Sequence, residues 1–161
     1  MSGLWGRVKL SPLFQKDIEK LRSVRNRERK WFINGGLITG EAQITWYDGY
    51  RGNPGDYMFT VSELANPEVF IGAAAIYNVD EEHKRAEFGR LIIDKTLAAG
   101  KGLGYDATVC ACNIGFEQLG LAEIYLEVLS DNISALKTYI KAGFSETGSE
   151  SGIIYMSKPA I

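Results

Sequence analysis

The apolar run Leu91-Ile92-Ile93 is followed, six residues later, by Gly100-Lys101-Gly102-Leu103-Gly104. A strand that delivers its chain into alternating glycines can turn sharply. A helix opening at that turn leaves backbone N–H groups uncovered by side chains. The positive end of the helix dipole points the same way, which suits a pyrophosphate. Glycine clusters also simply turn chains, and the loop alone does not separate these two readings. It is not a P-loop, because no Gly-Lys-Ser/Thr falls at the required spacing. Nor is it a dinucleotide fingerprint, since Tyr105 occupies the last glycine position of G-x-G-x-x-G. A phosphate-bearing group other than a nucleoside triphosphate or NAD fits better. A second element lies downstream: Asn132-Ile133-Ser134-Ala135-Leu136-Lys137-Thr138-Tyr139, closing with Gly143-Phe144.

Around these two elements the chain reads as mixed α/β. Val8-Lys9-Leu10 is a short first strand, broken by Ser11-Pro12. Helices are expected over Phe14–Arg25, Arg27–Ile33 and from Thr39-Gly40-Glu41 through Tyr50, with Asn34-Gly35-Gly36 stopping the second. Beyond the loop Arg51–Asp56 the pattern switches to β-branched and aromatic residues, giving strands over Tyr57–Ser62, Val69–Tyr77 and Arg85–Ile93, the last two joined by a hairpin turn. A helix over Leu103–Leu119 and a buried strand over Ile124–Val128 follow. Ser130-Asp131-Asn132 caps a helix over Ile133–Ala142 that Gly143 ends, and strands over Phe144–Thr147 and Ile153–Met156 close the chain.

Composition narrows the function classes. A chain of 161 residues with 45% hydrophobic residues is one domain, 1–161, with ample material for one core. A net charge of −2, with both signs interspersed, argues against a nucleic-acid partner. The basic run Arg22–Lys30 is interrupted by Val24, Asn26 and Glu28 and reads as a solvated helix face. No run of about 20 apolar residues spans a membrane, and Met1–Trp5 lacks a signal-peptide core. Cys110 and Cys112, two apart on a helix, neither bridge nor make a zinc site; buried, reduced thiols and a cytoplasmic location are expected, with no metal. His83, the one histidine, falls in a polar turn, so a Ser-His-Asp triad has little support.

Ala99-Gly100-Lys101-Gly102-Leu103-Gly104 and Asn132-x-x-Ala135-x-x-x-Tyr139 with Gly143-Phe144 resemble the signatures of the GNAT superfamily of acetyl-CoA-dependent N-acetyltransferases. Ala99 stands where that family has Arg or Gln. The resemblance runs from about Val8 to the C-terminus. It implies a central, twisted, mostly antiparallel sheet flanked by helices, with a V-shaped splay between the fourth and fifth strands that holds acetyl-CoA. It implies that Ala99, Gly100, Lys101, Gly102, Leu103, Gly104 and Asn132 hold the cofactor, and that backbone N–H groups around Leu91, Ile92 and Ile93 meet the developing oxyanion.

The matching tyrosine, Tyr139, would protonate the departing thiolate; pattern alone favours a core residue packing that helix, and Asn132 is also read as its N-cap. Glu87 interrupts a strand and by alternation shares a face with Gly89, Leu91 and Ile93. Related enzymes place a glutamate on this strand as the base that takes the ammonium proton. The rival role is an ion pair with Arg85 or Arg90. The N-terminal third should choose the substrate. Arg25-Asn26, Trp31-Phe32 and Trp46-Tyr47 look most like acetyltransferases acting on the 4-amino group of nucleotide-linked amino sugars, although aromatic residues there also simply pack helices. An acetyltransferase for protein or peptide N-termini, of the ribosomal-protein type, and a non-catalytic acyl-CoA-binding module are the alternatives. A small-molecule amine is the expected partner, and homo-oligomerisation is left open.

Overall fold

Glycines with positive φ and polar turns set where the strands reverse, and the strands between them gather into one sheet. A computed structural model describes all residues from Met1 to Ile161. Eight strands, β1 (Gly3–Trp5), β2 (Val8–Pro12), β3 (Tyr57–Glu63), β4 (Gly72–Asp80), β5 (Arg85–Ile93), β6 (Glu123–Leu129), β7 (Ser145–Glu150) and β8 (Ile153–Pro159), lie in the order β1-β2-β3-β4-β5-β6-β8-β7. Every neighbouring pair is antiparallel except β5 with β6. The helices are α1 (Ile18–Arg27), α2 (Gly40–Arg51), α3 (Lys95–Ala98), α4 (Leu103–Glu117) and α5 (Ile133–Lys141). This is the mixed α/β, mostly antiparallel architecture expected from the sequence. None of the helices is long and apolar enough to cross a membrane.

Several boundaries move. The helix expected over Arg27–Ile33 is only a 3₁₀ turn at Arg29–Trp31, after α1 has run on to Arg27. A four-residue helix, α3, intervenes between the apolar strand and the glycine turn; Asp94 caps it through Thr96 N–H at 3.0 Å. The added strand β1 makes the parallel pair the fifth and sixth strands rather than the fourth and fifth. Those two strands are paired only where Arg85, Ala86 and Glu87 face Glu123, Ile124 and Tyr125, after which they part.

The two faces of the sheet carry separate cores. α4 lies on one face, and its Leu103, Ala107, Cys110, Ala111, Cys112 and Ile114 are buried against Val8, Leu10, Phe59, Ile76 and Phe88. A helix so buried reads as apolar nearly all round. On the other face α1 and α2 bring Leu21, Val24 and Tyr47 onto Met58, Ala73, Ala75 and Ile92. Each fully buried Phe or Leu contributes about 2–3 kcal/mol by leaving water. Small residues on β4 let its neighbours approach closely: a Cβ on Gly72 would lie 2.2 Å from the Ile92 carbonyl oxygen.

An irregularity in β5 changes which residues share a face. Between the pairs Ala75–Gly89 and Ala73–Ile92, β5 spends one more residue than β4, and Arg90 takes a left-handed φ of 53°. Such a bulge breaks the two-residue alternation. Ala86 and Phe88 therefore face the α4 core, but beyond the bulge Leu91 and Ile93 face it, while Ile92 joins the α1–α2 core. Glu87 shares its face with Gly89, not with Leu91 and Ile93 as simple alternation would have it.

Candidate active site

The parting of β5 and β6 opens onto a cleft of about 760 Å3 on the α1–α2 face. Its floor is β5, from Glu87 through Ile92; one wall is α1, the Trp31–Asn34 segment and α2, and the other is the end of β6 with α5.

Local chemistry fixes α5. The Asn132 side chain accepts a hydrogen bond from Ala135 N–H at 3.2 Å, so it is an N-cap as well as a cleft residue. At the other end Gly143, at φ 100°, donates to Ile140 O, and Phe144 N–H donates to Tyr139 O. That is a Schellman ending, in which the residue after the glycine packs back onto the helix. Phe144 accordingly meets the Tyr139 ring edge-on at 6.1 Å, and Phe88 meets it at 6.0 Å. Tyr139 is thus held by two phenyl rings, 8% exposed, at the edge of the cleft. Burial, and to a lesser degree Cys112, lifts its pKa above the phenol range, so the hydroxyl keeps its proton.

Across the cleft, Glu87 accepts from Tyr77 Oη–H at 2.7 Å and from Asn78 Nδ2–H at 3.2 Å. It pairs with neither neighbouring arginine: Arg85 meets Glu123 at 2.9 Å and Arg90 meets Asp56 at 2.7 Å. Glu127, on β6, stands on the same side of the splay, since parallel pairing of Glu87 with Tyr125 puts residue 127 on their face. Burial first, then Glu87, raises its pKa.

The far wall carries Arg25. Its guanidinium lies 3.8 Å above the Phe32 ring, and Nη2–H donates to Asn34 O. Nη1 is buried and has no hydrogen-bond partner in the protein. Burial lowers the pKa of Arg25, yet a guanidinium remains charged at any neutral pH.

Of the residues singled out from the sequence, Arg25, Trp31, Phe32, Trp46, Glu87, Leu91, Ile92, Asn132 and Tyr139 line this cleft. Asn26 and Tyr47 do not. Asn26 clasps the backbone of Ile38, donating to its O and accepting from its N–H, both at 2.8 Å, and so closes the loop that carries Trp31 and Phe32. Tyr47 is 7% exposed and packs in the α1–α2 core. Ile93 and the segment Ala99–Gly104 lie outside the cleft lining but next to its β5 end: a Cβ on Gly104 would meet Leu91 at 3.9 Å and Ile93 at 4.0 Å. Leu103 is buried beneath α4, and Lys101 pairs with Glu63 at 3.1 Å.

The glycine turn has the properties an anion needs. Gly100 and Gly102 have φ of 74° and 70°. The N-caps of α2, α3 and α5 supply a side-chain acceptor, whereas Gly102 supplies none to α4. The first-turn N–H groups of a 15-residue helix are therefore left open. A Cβ on Gly100 would meet nothing within 4 Å, and one on Gly102 would meet only Arg7 Nη2, at 3.6 Å. Arg7 is tied to α4 through Asp106 at 2.9 Å. These residues fit a pyrophosphate.

Tyr77, Glu127, Gln43 and Asn34 also line the cleft without a site role expected from the sequence, as does Arg90, expected only as a partner of Glu87. For Tyr77 no signal existed: counting back from the 81–84 turn sets Asn78 against Glu87, and only an extra β4 residue between Tyr77 and Asp80 brings Tyr77 there. For Arg90 there was none, because the bulge turns its side chain.

A family model described as an acetyltransferase (GNAT) domain matches residues 7–145. The chain is 31% identical over 144 residues to the spermidine N(1)-acetyltransferase of Escherichia coli (strain K12), covering 88% of this chain and 74% of that protein. Among solved structures, the spermidine N-acetyltransferase of Vibrio cholerae in complex with CoA and spermine superposes with a TM-score of 0.84 at 22% identity over 96% of both chains. FdhC, described as a nucleotide-linked sugar GNAT, superposes with a TM-score of 0.84 at 19% identity over 99% of this chain and 90% of that one.

Proposed function

The chain belongs to the acetyltransferase (GNAT) family and is an acetyl-CoA-dependent N-acetyltransferase, and from that premise we propose that its acceptor is a small primary amine carrying an anionic group, best met by the 4-amino group of a nucleotide-linked amino sugar. The observation that carries this is Arg25. A buried guanidinium nitrogen without a partner is costly, and a substrate anion in the cleft removes that cost. Phe32, Trp31 and Trp46 on the same wall suit the flat faces of a sugar or a nucleobase. Glu87 and Glu127 attract the ammonium end.

Acetyl-CoA supplies the thioester whose acetyl group is transferred. In this proposal Glu87 takes the ammonium proton, directly or through water, so that the neutral nitrogen can attack the carbonyl carbon. Backbone N–H groups around Leu91 to Ile93, where β5 no longer pairs with β6, meet the oxyanion. Tyr139 gives its proton to the thiolate as the C–S bond breaks, and the second proton of the attacking nitrogen, lost as the amide forms, passes back to the phenolate. Burial raises the Tyr139 phenol above its ordinary value, so its phenolate is short-lived, and the return of a proton from nitrogen is what makes donation to the less basic thiolate feasible.

A polyamine acceptor is the second reading. The two carboxylates favour it, and the E. coli relative is named for spermidine. Free CoA release is measured for spermidine, a basic peptide and a uridine-diphosphate-linked 4-amino hexose. The sugar nucleotide is expected to give the highest kcat/KM. Arg25→Gln is expected to lower that value by about 10-fold or more, the loss of one charge-assisted contact, while leaving spermidine turnover no lower than before. A wild-type preference for spermidine overturns the sugar assignment.

For the glycine turn, Gly102→Asp and Gly102→Ala share the strain of a side chain at a left-handed φ, and only Asp adds charge. The Asp variant is expected to bind acetyl-CoA at least ~10-fold more weakly than the Ala variant by calorimetry, about 1.4 kcal/mol. Equal affinities would remove the turn from the phosphate site.

A further inference from the structure

We propose that Tyr77 is a positioning residue: its hydroxyl, held over Gly89 by Arg90, fixes the Glu87 carboxylate in the orientation that receives the acceptor's proton. This rests on the reading of Glu87 as the base.

Five contacts make the device. Tyr77 Oη–H donates to Glu87 Oε2 at 2.7 Å, and Asn78 Nδ2–H donates to Oε1 at 3.2 Å, so both oxygens are tethered and the carboxylate cannot spin. The Tyr77 ring is capped by the Arg90 guanidinium at 4.1 Å, a cation–π contact. Arg90 is in turn fixed at 2.7 Å by Asp56, the residue just before β3. Finally, the ring crosses directly over Gly89: a Cβ there would sit 2.7 Å from Tyr77 Oη and 3.2 Å from the ring. Only glycine leaves that path open. The bulge that gives Arg90 its left-handed φ is what turns the guanidinium toward Tyr77 rather than along the alternating face.

The direction of the hydrogen bond is constant. Burial first, and then Glu87 itself, lifts the Tyr77 pKa far above the phenol range, so it never ceases to be the donor. Each oxygen of Glu87 has lone pairs beyond the one it uses, and those that remain are available to the amine or to a bridging water. The other charged or titratable groups around Glu87 are Arg90 on its own strand and Tyr125 and Glu127 on β6. Neither Tyr77 nor Asn78 has to touch the substrate for this role.

The test is a double-mutant cycle on the intact protein, using acetyl-CoA with whichever of spermidine, the basic peptide or the sugar nucleotide turns over fastest. Tyr77→Phe keeps the ring, its stacking and its burial, and loses one donor. It is expected to lower kcat about 10-fold with little change in KM, and the deficit shrinks at high pH, where the amine is already neutral. In a Glu87→Gln background the same substitution is expected to cost nothing further, because the group it positions is gone. A Tyr77→Phe protein with wild-type kcat overturns the proposal, as does a loss of equal size in both backgrounds, which would make Tyr77 an independent contact. A Gly89→Ala protein at the wild-type rate overturns it too, since the room left by glycine is required. If Glu87→Gln itself turns over normally at every pH, the base assignment fails first, and the cycle shows that separately from any effect of Tyr77.

Discussion

Tyr139→Phe is expected to lower kcat about 100-fold and to leave acetyl-CoA affinity nearly unchanged. In the proposed mechanism hydroxyl removal takes away the proton donor for the thiolate, and general acid catalysis contributes at least about that factor. The change is close to a single-atom deletion. Phe88 and Phe144 still meet the ring at 6.0 and 6.1 Å, so the packing that holds α5 persists. Desolvation and Cys112 account for the shift of Tyr139, with no hydrogen bond among its causes, so the fold loses no such bond with the hydroxyl. The loss therefore falls on kcat rather than on stability, which chemical denaturation checks alongside. Turnover at the wild-type rate in a folded Tyr139→Phe protein would return the residue to the core, where its 8% exposure already permits it to belong.

Glu87→Gln is expected to lower kcat/KM by roughly 10²-fold near neutral pH, within the range for loss of a general base. The amide oxygen can still accept from Tyr77, while the amide NH2 then faces the Asn78 Nδ2–H donor and that weaker, exposed tether is lost. The sign with pH follows from the substrate. Below the amine's pKa the acceptor arrives as an ammonium ion and must lose a proton, so the missing base is felt fully. Above it the amine is neutral before it binds, and the deficit closes. A residue that merely held the ammonium by charge would raise KM instead. The measurement is a pair of pH–rate profiles, wild type beside variant. A deficit constant from low to high pH would remove Glu87 as the base. Because Arg85 and Arg90 have partners of their own in Glu123 and Asp56, loss of an ion pair cannot imitate either outcome.

What the sequence made legible was the chemistry that acts over a few residues. The Asn132 cap, the Gly143-Phe144 ending and the Thr39 cap of α2, which accepts from Ala42 N–H at 3.1 Å, are written in local residue types. Together they place Tyr139 on a helix with a fixed end. The bulge in β5 was not legible, because it exists only in the comparison of β5 with β4, and a period-two reading of Glu87 onward puts Leu91 and Ile93 on the wrong face. The roles of Asn26 and Tyr47 were hidden for a related reason. Both sit beside residues that do line the cleft, but Asn26 spends its amide on Ile38, twelve residues away, and Tyr47 turns into the core. The four-residue α3 is shorter than any periodic signal, and only the Asp94 cap could have betrayed it.

The three-residue contact between β5 and β6 has a consequence for how the molecule breathes. On one side of it lies the antiparallel run β1 to β5, and on the other the block β6, β8 and β7. Few backbone bonds stitch the blocks together, and α4 packs mainly on the first of them. Fluctuations that widen the gap therefore cost less than fluctuations within either block, and amides along the free part of β6 and in α5 should exchange with solvent sooner than those of β3 and β4. A ligand lodged between the blocks works as a staple. At a hundred times its dissociation constant it adds about 2.7 kcal/mol against unfolding. The resistance of this protein to heat and proteolysis would then rise and fall with the supply of acetyl-CoA around it.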